Sequence, residues 1–416
     1  MNRFVLILLL LCNLAFAESR EINDYHWEGV ERVVAIGDLH GDYNNYLEVL
    51  KLAGLIDKKG KWSGGETHLV QTGDIPDRGP DTALIIKHIT KLAKQAKKKG
   101  GRVHTLIGNH EAMNMYGDLR YVHPGEFEAF TDRNSAVLRD RYYGIVLQNM
   151  ETQDPEKFAS LPENYREEWN VKFPLGWVEH RQAWDPAWNP EGEYATWVLD
   201  HKVTIKINDA IFLHGGISGF YCQNSQESIT EGAHADLSHF DPTKRGIVDD
   251  EYGPLWYRGL SGVEPHAESE TVDAILEHQG VGHIVVGHTP TSGVIWPRYD
   301  SKVVMIDTGI SSHYGGHLAY LEITSDGLFA AYPGGKLPLP AIDDGRAPYL
   351  EKVIEKDPNN PYLQERLEIL LNPAPVVPPV AENTVAENGA GEAASADSAA
   401  AEAPEANPIP ICGTSQ

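Results

Sequence analysis

The chain has 416 residues, and its 60 aspartates and glutamates outweigh 35 lysines and arginines to give a formal net charge of −25. That balance makes nucleic acid a poor partner and gives no passive attraction for anionic substrates, so any phosphate specificity has to come from bound metals and local arginines. The length allows one domain with an insertion, or two domains.

The first residues read as an export signal, with Arg3, an apolar stretch from Phe4 to Leu11 and a small-residue site at Ala15-Phe16-Ala17. The apolar run contains Asn13 and falls short of the about 20 residues that a bilayer span needs. No membrane span is expected, and the mature chain is expected to be periplasmic or secreted. Two cysteines would then remain, Cys222 and Cys412. Cys412 lies in a tail, so a structural disulfide between them is disfavoured even in an oxidising compartment.

Arg32 to Ile36 is a β-branched run that suits a buried strand and ends at Gly37-Asp38-Leu39-His40-Gly41. A helix follows over Tyr43 to Leu52. A second strand, His68 to Gln71, runs into Gly73-Asp74-Ile75-Pro76-Asp77-Arg78-Gly79. Pro80-Asp81 opens a helix that finishes in lysines 97 to 99 before Gly100-Gly101, as capping and dipole rules prefer. Val103 to Ile107 is a third strand, ending at Gly108-Asn109-His110-Glu111. From Ala112 to about Asp200 the texture becomes rich in tryptophan, proline and charge, with helices expected near 126–148 and 162–177. This insert reads either as a cap over a site or as extra helices packed on the scaffold.

Val203 to Ile217 predicts a hairpin turning at Asn208-Asp209 and delivering His214-Gly215-Gly216. A helix near Val272 to His278 precedes a strand, His283 to Val286, which ends at Gly287-His288. Further strands are expected over Val303 to Asp307, His317 to Ile323 and Leu328 to Tyr332. Beyond Leu371 there is no lysine or arginine, and the acids recur at a spacing that fits neither helix nor strand, so the end reads as a disordered acidic tail. The domain reading is a signal peptide at 1–17, a catalytic domain at 18–345 with its insertion at 112–200, a helical extension at 346–371 and the tail at 372–416. Strands alternating with helices, then a run of strands, argue for an α/β sandwich with its site on loops at the C-terminal strand ends.

The five glycine-flanked motifs supply Asp38, His40, Asp74, Asn109, His214 and His288, an oxygen and imidazole set that suits two adjacent divalent ions. Two such metals hold an attacking hydroxide and clamp a phosphate for in-line displacement. Asp74 is the natural bridge, because each of its carboxylate oxygens can face one metal. Asp38 and His40 reach the first metal, and Asn109, His214 and His288 complete the second. Mixed nitrogen and oxygen ligation favours manganese, iron or zinc over calcium. Arg78 offers a bidentate fork to phosphate. His110 is placed to protonate the leaving oxygen, with Asp77 holding it in its acid form. Arg258 is a second anion clamp, and Asn109 also faces the phosphate. His104, His283 and His317 read as structural, while His313 and Tyr314 are candidates to line the pocket.

On these motifs the chain resembles the phosphoprotein phosphatases within the calcineurin-like metallophosphoesterases, from about Arg32 to Ile323. The stretches Gly108-Asn109-His110-Glu111-Ala112-Met113-Asn114-Met115-Tyr116-Gly117-Asp118-Leu119-Arg120-Tyr121-Val122 and Gly253-Pro254-Leu255-Trp256-Tyr257-Arg258-Gly259 are similar to the Shewanella-like phosphatases. That resemblance implies a four-layer αββα sandwich with a helical insertion. It also implies two metals, manganese first, with Asp74 shared between them, and a phosphoprotein or phosphopeptide substrate with phosphotyrosine favoured. Pro76 stands where the eukaryotic Ser/Thr enzymes carry valine, and Ile306 to Tyr314 replaces their Tyr-Cys loop. A dinucleoside polyphosphate hydrolase shares the five motifs and is the alternative. A cysteine-dependent phosphatase is excluded, since no His-Cys-x5-Arg pattern occurs. A catalytically dead phosphoprotein-binding module is the third reading, and the intact His110 and Asp77 count against it. The oligomeric state is left open.

Overall fold

The computed structural model describes residues 20–262, 268–358, 360–372 and Cys412, so the expected leader and nearly all of the expected tail lie outside the described residues. Among these residues the strands are β1 (Arg20–Asn23), β2 (His26–Glu28), β3 (Arg32–Ile36), β4 (His68–Gln71), β5 (Arg102–Thr105), β6 (Thr204–Ile207), β7 (Ala210–Leu213), β8 (His283–Val286), β9 (Trp296–Arg298), β10 (Val303–Met305), β11 (Tyr320–Thr324), β12 (Gly327–Tyr332) and β13 (Gly335–Pro338). They form a seven-stranded sheet in the order β1-β2-β6-β7-β8-β10-β9 and a six-stranded sheet in the order β13-β12-β11-β3-β4-β5. The motif-bearing strands β3, β4 and β5 run parallel, as do β7, β8 and β10.

The period of two along β3 explains the layering. Val33 and Ala35 join a cluster with Ile205, Ile211, Leu213 and Val285 of the other sheet. Val34 and Ile36 point the other way, to Tyr46 and Leu50 of the helix Tyr43–Leu52 and to Ile85 and Ile89 of the helix Thr82–Lys97. Each fully buried aliphatic side chain of this kind contributes about 1.5–3 kcal/mol. The result is the α/β architecture expected from the motifs, two mixed sheets face to face with helices packed outside. Asp42 starts the first helix by accepting from the Asn45 backbone N–H at 3.0 Å. The β6–β7 hairpin turns where the sequence places it, pairing Ile207 with Ala210 around Asn208 at φ 51°.

Between the third and fourth motifs the chain forms helices at Pro124–Ala129, Ser135–Gln153, Pro155–Ala159, Tyr165–Lys172, Trp177–Trp184 and Glu193–Leu199. The two helices expected there are thus subdivided. Asn134 N–H donates to Asp132 Oδ1 at 2.6 Å and Asp132 N–H to Ser135 Oγ at 2.8 Å, a local turn that interrupts the first helix. Gly176 at φ 85° interrupts the second. The tryptophans pack largely on other aromatics: Tyr142 has Trp169, Trp177 and Trp188 within 5.7 Å, and Trp184 stacks on Tyr194 at 5.1 Å. No helix among the described residues is long and apolar enough to cross a membrane.

The cysteines correct the sequence reading. Cys222 is disulfide-bonded to Cys412, with Cα atoms 5.7 Å apart. Cys412 packs against the inter-sheet cluster and bonds to the loop after β7, 190 residues from its partner.

His104 on β5 and His68 on β4 share a hydrogen bond of 3.1 Å beneath the Trp27 ring. Burial and Arg102 push His68 down to about 4, and burial, His68 and Arg102 hold His104 well below its usual value. Unfolded histidine titrates near about 6.5, so the unfolded chain binds protons that the native pair refuses. Stability from this pair is complete above that pH and is lost as pH falls towards 4. Melting temperatures measured between neutral pH and this range should fall less steeply in His104→Gln, which cannot charge. Equal slopes for variant and wild type would refute the assignment.

Candidate metal centre

Strands β3, β4, β5, β7 and β8 end at one edge of the sandwich, and each is followed within a few residues by one of the five motifs. Glycine lets these loops converge. Gly73 has φ 97°, and a Cβ there would lie 2.5 Å from the Gly108 nitrogen. Several functional side chains themselves sit on left-handed backbone: His40, Asp74, Asp77, Arg78 and His288 have φ of 43°, 59°, 73°, 64° and 64°. Such strain persists only where surrounding contacts impose it, and it gathers at functional sites.

Asp74 stands at the centre. Its Oδ2 is 3.2 Å from His214 Nε2, 3.8 Å from His110 Nε2 and 3.9 Å from His40 Nε2. Asp38 Oδ2 is 3.9 Å from the same His40 nitrogen. On the other side, His214 Nε2 lies 2.8 Å from Asn109 Oδ1 and 3.0 Å from His288 Nδ1. All of these residues are buried. The six sequence-predicted ligands therefore fall into two nests that share Asp74, one with Asp38 and His40, the other with Asn109, His214 and His288.

His40, His214 and His288 each have one ring nitrogen tied to a backbone carbonyl. His40 Nδ1 donates to Pro76 O at 3.1 Å, His214 Nδ1 to Thr72 O at 2.9 Å and His288 Nε2 to Trp256 O at 3.2 Å. These bonds leave the lone pairs of His40 Nε2, His214 Nε2 and His288 Nδ1 facing Asp74, the arrangement that orients a metal-binding imidazole. Burial pushes His40 down to about 3 and holds His288 well below its ordinary value, so both stay neutral and able to ligate. Burial, Asp307 and Asp74 push Asp38 well above the usual carboxylate range. Neither Asp38 nor Asp74 forms an ion pair with lysine or arginine among the described residues. Crowded buried carboxylates beside neutral imidazoles, with no lysine or arginine paired to them, are a donor set that fits divalent metal ions.

His110 differs from the other three. Its Nδ1 is 2.5 Å from Asp77 Oδ2, and Asn114 Nδ2 donates to the other Asp77 oxygen at 3.0 Å. Burial opposes its protonation, but Asp74 and Asp77 outweigh burial and raise its pKa. His110 also lies close enough to Asp74 and His40 to be counted among possible ligands. The bond to Asp77 and the upward shift separate it from His40 and His288.

Arg78 lies with its Cζ 3.9 Å from the Tyr121 ring centroid. Arg258 donates from Nη1 to His288 O at 3.0 Å and to Thr289 Oγ1 at 2.9 Å, which holds it beside the second nest. Tyr314 covers His40 at 5.1 Å between ring centroids. The sequence reading missed two groups here. Asp307, which the sequence marks only as a strand end, is buried after β10 beside Asp38, and an acid at a strand's C-terminal end is the signal that points to it. Asn114 was signalled by its spacing of four from His110 on the helix Asn109–Tyr116. Glu111 accepts from the backbones of Asp74, Ile75 and Gly108 at 2.8–2.9 Å, tying the second motif to the third.

The family model for calcineurin-like phosphoesterases matches residues 31–292. Shewanella-like protein phosphatase 2 of Arabidopsis thaliana is 31% identical over 329 residues, covering 74% of this chain and 79% of its own. Shewanella-like protein phosphatase 1 of Plasmodium berghei is 28% identical and covers 70% of each chain. Among solved structures, a cold-active protein tyrosine phosphatase of a psychrophilic Shewanella species superposes with a TM-score of 0.55 at 29% identity, covering 76% of this chain and 82% of the other.

Proposed function

The chain belongs to the calcineurin-like phosphoesterases and, within them, to the Shewanella-like protein phosphatases; it is a metal-dependent phosphatase, and from that premise we propose that it hydrolyses phosphomonoesters on proteins, phosphotyrosine favoured. The observation that carries the reading is the 2.5 Å His110–Asp77 pair beside the shared Asp74. A hydrolase needs a proton donor there and a binding module does not. The tyrosine preference is supported by the likeness to the Shewanella enzyme, a protein tyrosine phosphatase.

Asp38, His40 and Asp74 would hold one divalent ion, and Asp74, Asn109, His214 and His288 the other, with manganese first and iron or zinc as alternatives. When bound, such ions neutralise phosphoryl charge and activate water at neutral pH. The chain's own residues do the rest. Arg78 and Arg258 grip the phosphate oxygens, with Asn109 beside them. Asp77 fixes His110 through Nδ1, and His110 passes its proton from Nε2 to the leaving oxygen. We place the mature protein outside the cytoplasm, on its N-terminal sequence. The Cys222–Cys412 bond is in keeping with an oxidising compartment.

The test is phosphate release by metal-stripped protein with Mn²⁺ restored, on phosphotyrosine peptide, phosphoserine peptide and diadenosine tetraphosphate in parallel. The expected result is manganese-restored turnover, fastest on the phosphotyrosine peptide. Turnover confined to the dinucleotide would assign the protein to dinucleoside polyphosphate hydrolysis. Bound metal with no turnover on any of the three would favour a binding module.

A further inference from the structure

The helical insert grips the acid pair's loop from behind. Asp77 and Arg78 are consecutive residues on left-handed backbone, at φ 73° and 64°, and both of their N–H groups donate into the insert. Asp77 N–H donates to Glu126 Oε1 at 2.8 Å, and Arg78 N–H to Tyr121 O at 3.0 Å. Thr82 Oγ1 donates to the same Glu126 oxygen at 2.7 Å. Glu126 is 2% exposed, and its Oε2 has no hydrogen-bond partner. That oxygen faces the fully buried His180 of the insert, whose Nε2 is 4.0 Å away. The His180 ring is enclosed by Phe127 and Phe130 at 5.2 and 5.1 Å.

A buried carboxyl is costly unless its hydrogen bonds repay desolvation, and here its protein donors are the strained Asp77 backbone and Thr82. We propose that Glu126 is a positioning residue for phosphoryl transfer. It fixes the Asp77 backbone so that the Asp77 carboxylate holds His110, and it thereby makes the insert part of the catalytic support. This rests on the reading of His110 as the proton donor. Burial and Asp77 push the Glu126 carboxyl up to about 8, so its neutral form is the one to imitate. Glutamine imitates it, with an amide oxygen in the Oε1 position, whereas aspartate keeps the acid but loses the reach.

The experiment compares Glu126→Gln, Glu126→Asp and Glu126→Ala, each also in a His110→Asn background, with metal content and melting temperature measured throughout. Displacing a catalytic group by about 1 Å costs up to about 100-fold, so Glu126→Ala and Glu126→Asp should lose roughly 10- to 100-fold in kcat with KM and metal content nearly unchanged. Glu126→Gln should stay within about threefold of wild type, and in the His110→Asn background Glu126→Ala should change kcat by less than about twofold. An impaired His110→Asn enzyme on which Glu126→Ala adds its full loss would overturn the inference alone. So would Glu126→Asp outperforming Glu126→Gln, a comparison that holds even if the alanine variant fails to fold. A His110→Asn enzyme with wild-type turnover would overturn the proton-donor reading and this inference together.

Discussion

Replacing Asp74 by asparagine is expected to abolish metal-dependent turnover while leaving the fold intact. Asparagine is nearly isosteric and tolerates the φ of 59° found at this position. It can keep the backbone contacts that define the turn, in which Asp74 O accepts from Leu39 and His40 at 2.9 and 3.1 Å. It can also retain an oxygen for the His110 N–H, 2.9 Å from Asp74 Oδ1. What it removes is the negative charge and one ligand oxygen at the point where the two nests meet, 3.2 Å from His214 and 3.9 Å from His40. Losing one preorganised electrostatic group costs about 10²–10³ in rate, and with Asp74 as the proposed shared ligand its loss would weaken both metals together. Turnover should therefore fall by more than about 10³-fold. Elemental analysis after dialysis should show fewer than two metals per chain, with a melting temperature for the metal-free protein close to wild type. Two retained metals with near-normal turnover would remove Asp74 from its bridging role.

His110→Asn separates metal binding from proton transfer. Its expected loss in kcat is about 10²–10⁴-fold, the usual worth of general acid catalysis, with metal content unchanged. The reason is geometric: the Nδ1 of His110 is committed to Asp77 at 2.5 Å, while Nε2 faces Asp74 at 3.8 Å. Asparagine is shorter and has no titrating nitrogen to present on that side. The deficit should grow as the leaving group becomes more basic, so phenyl phosphates of graded leaving-group pKa provide the check. A loss of metal in parallel with activity would make His110 a ligand, and wild-type turnover would remove it from the chemistry.

The five motifs were legible because each joins its strand, its turn and its ligands in one short stretch. Arg32–Ile36 carries a run of buried residues, Gly37 follows it, and Asp38 and His40 come within four residues of its end. Elements whose partners supply the pattern were not legible. β9 is Trp-Pro-Arg and β13 is Gly-Lys-Leu-Pro, edge strands held by backbone pairing to β10 and β12. The helix Gln226–Ser238 was missed because only Ile229, Thr230, Ala233 and Leu237 are buried along it, a thin apolar face in a polar segment.

Local chemistry thus sufficed to pick out the side chains that converge on Asp74, the His110 and Asp77 pair and the α/β class, since residue type and spacing along one strand end carry that information. Pairings across long stretches of chain came only from packing. Glu126 lies 49 residues from the Asp77 N–H that it accepts, and Cys412 lies 190 residues from Cys222. Asp307 becomes a neighbour of Asp38 only once β10 lies beside β8. A buried acid or thiol looks the same in sequence whatever it will meet, because its partner is selected by the sheets and helices that close around it.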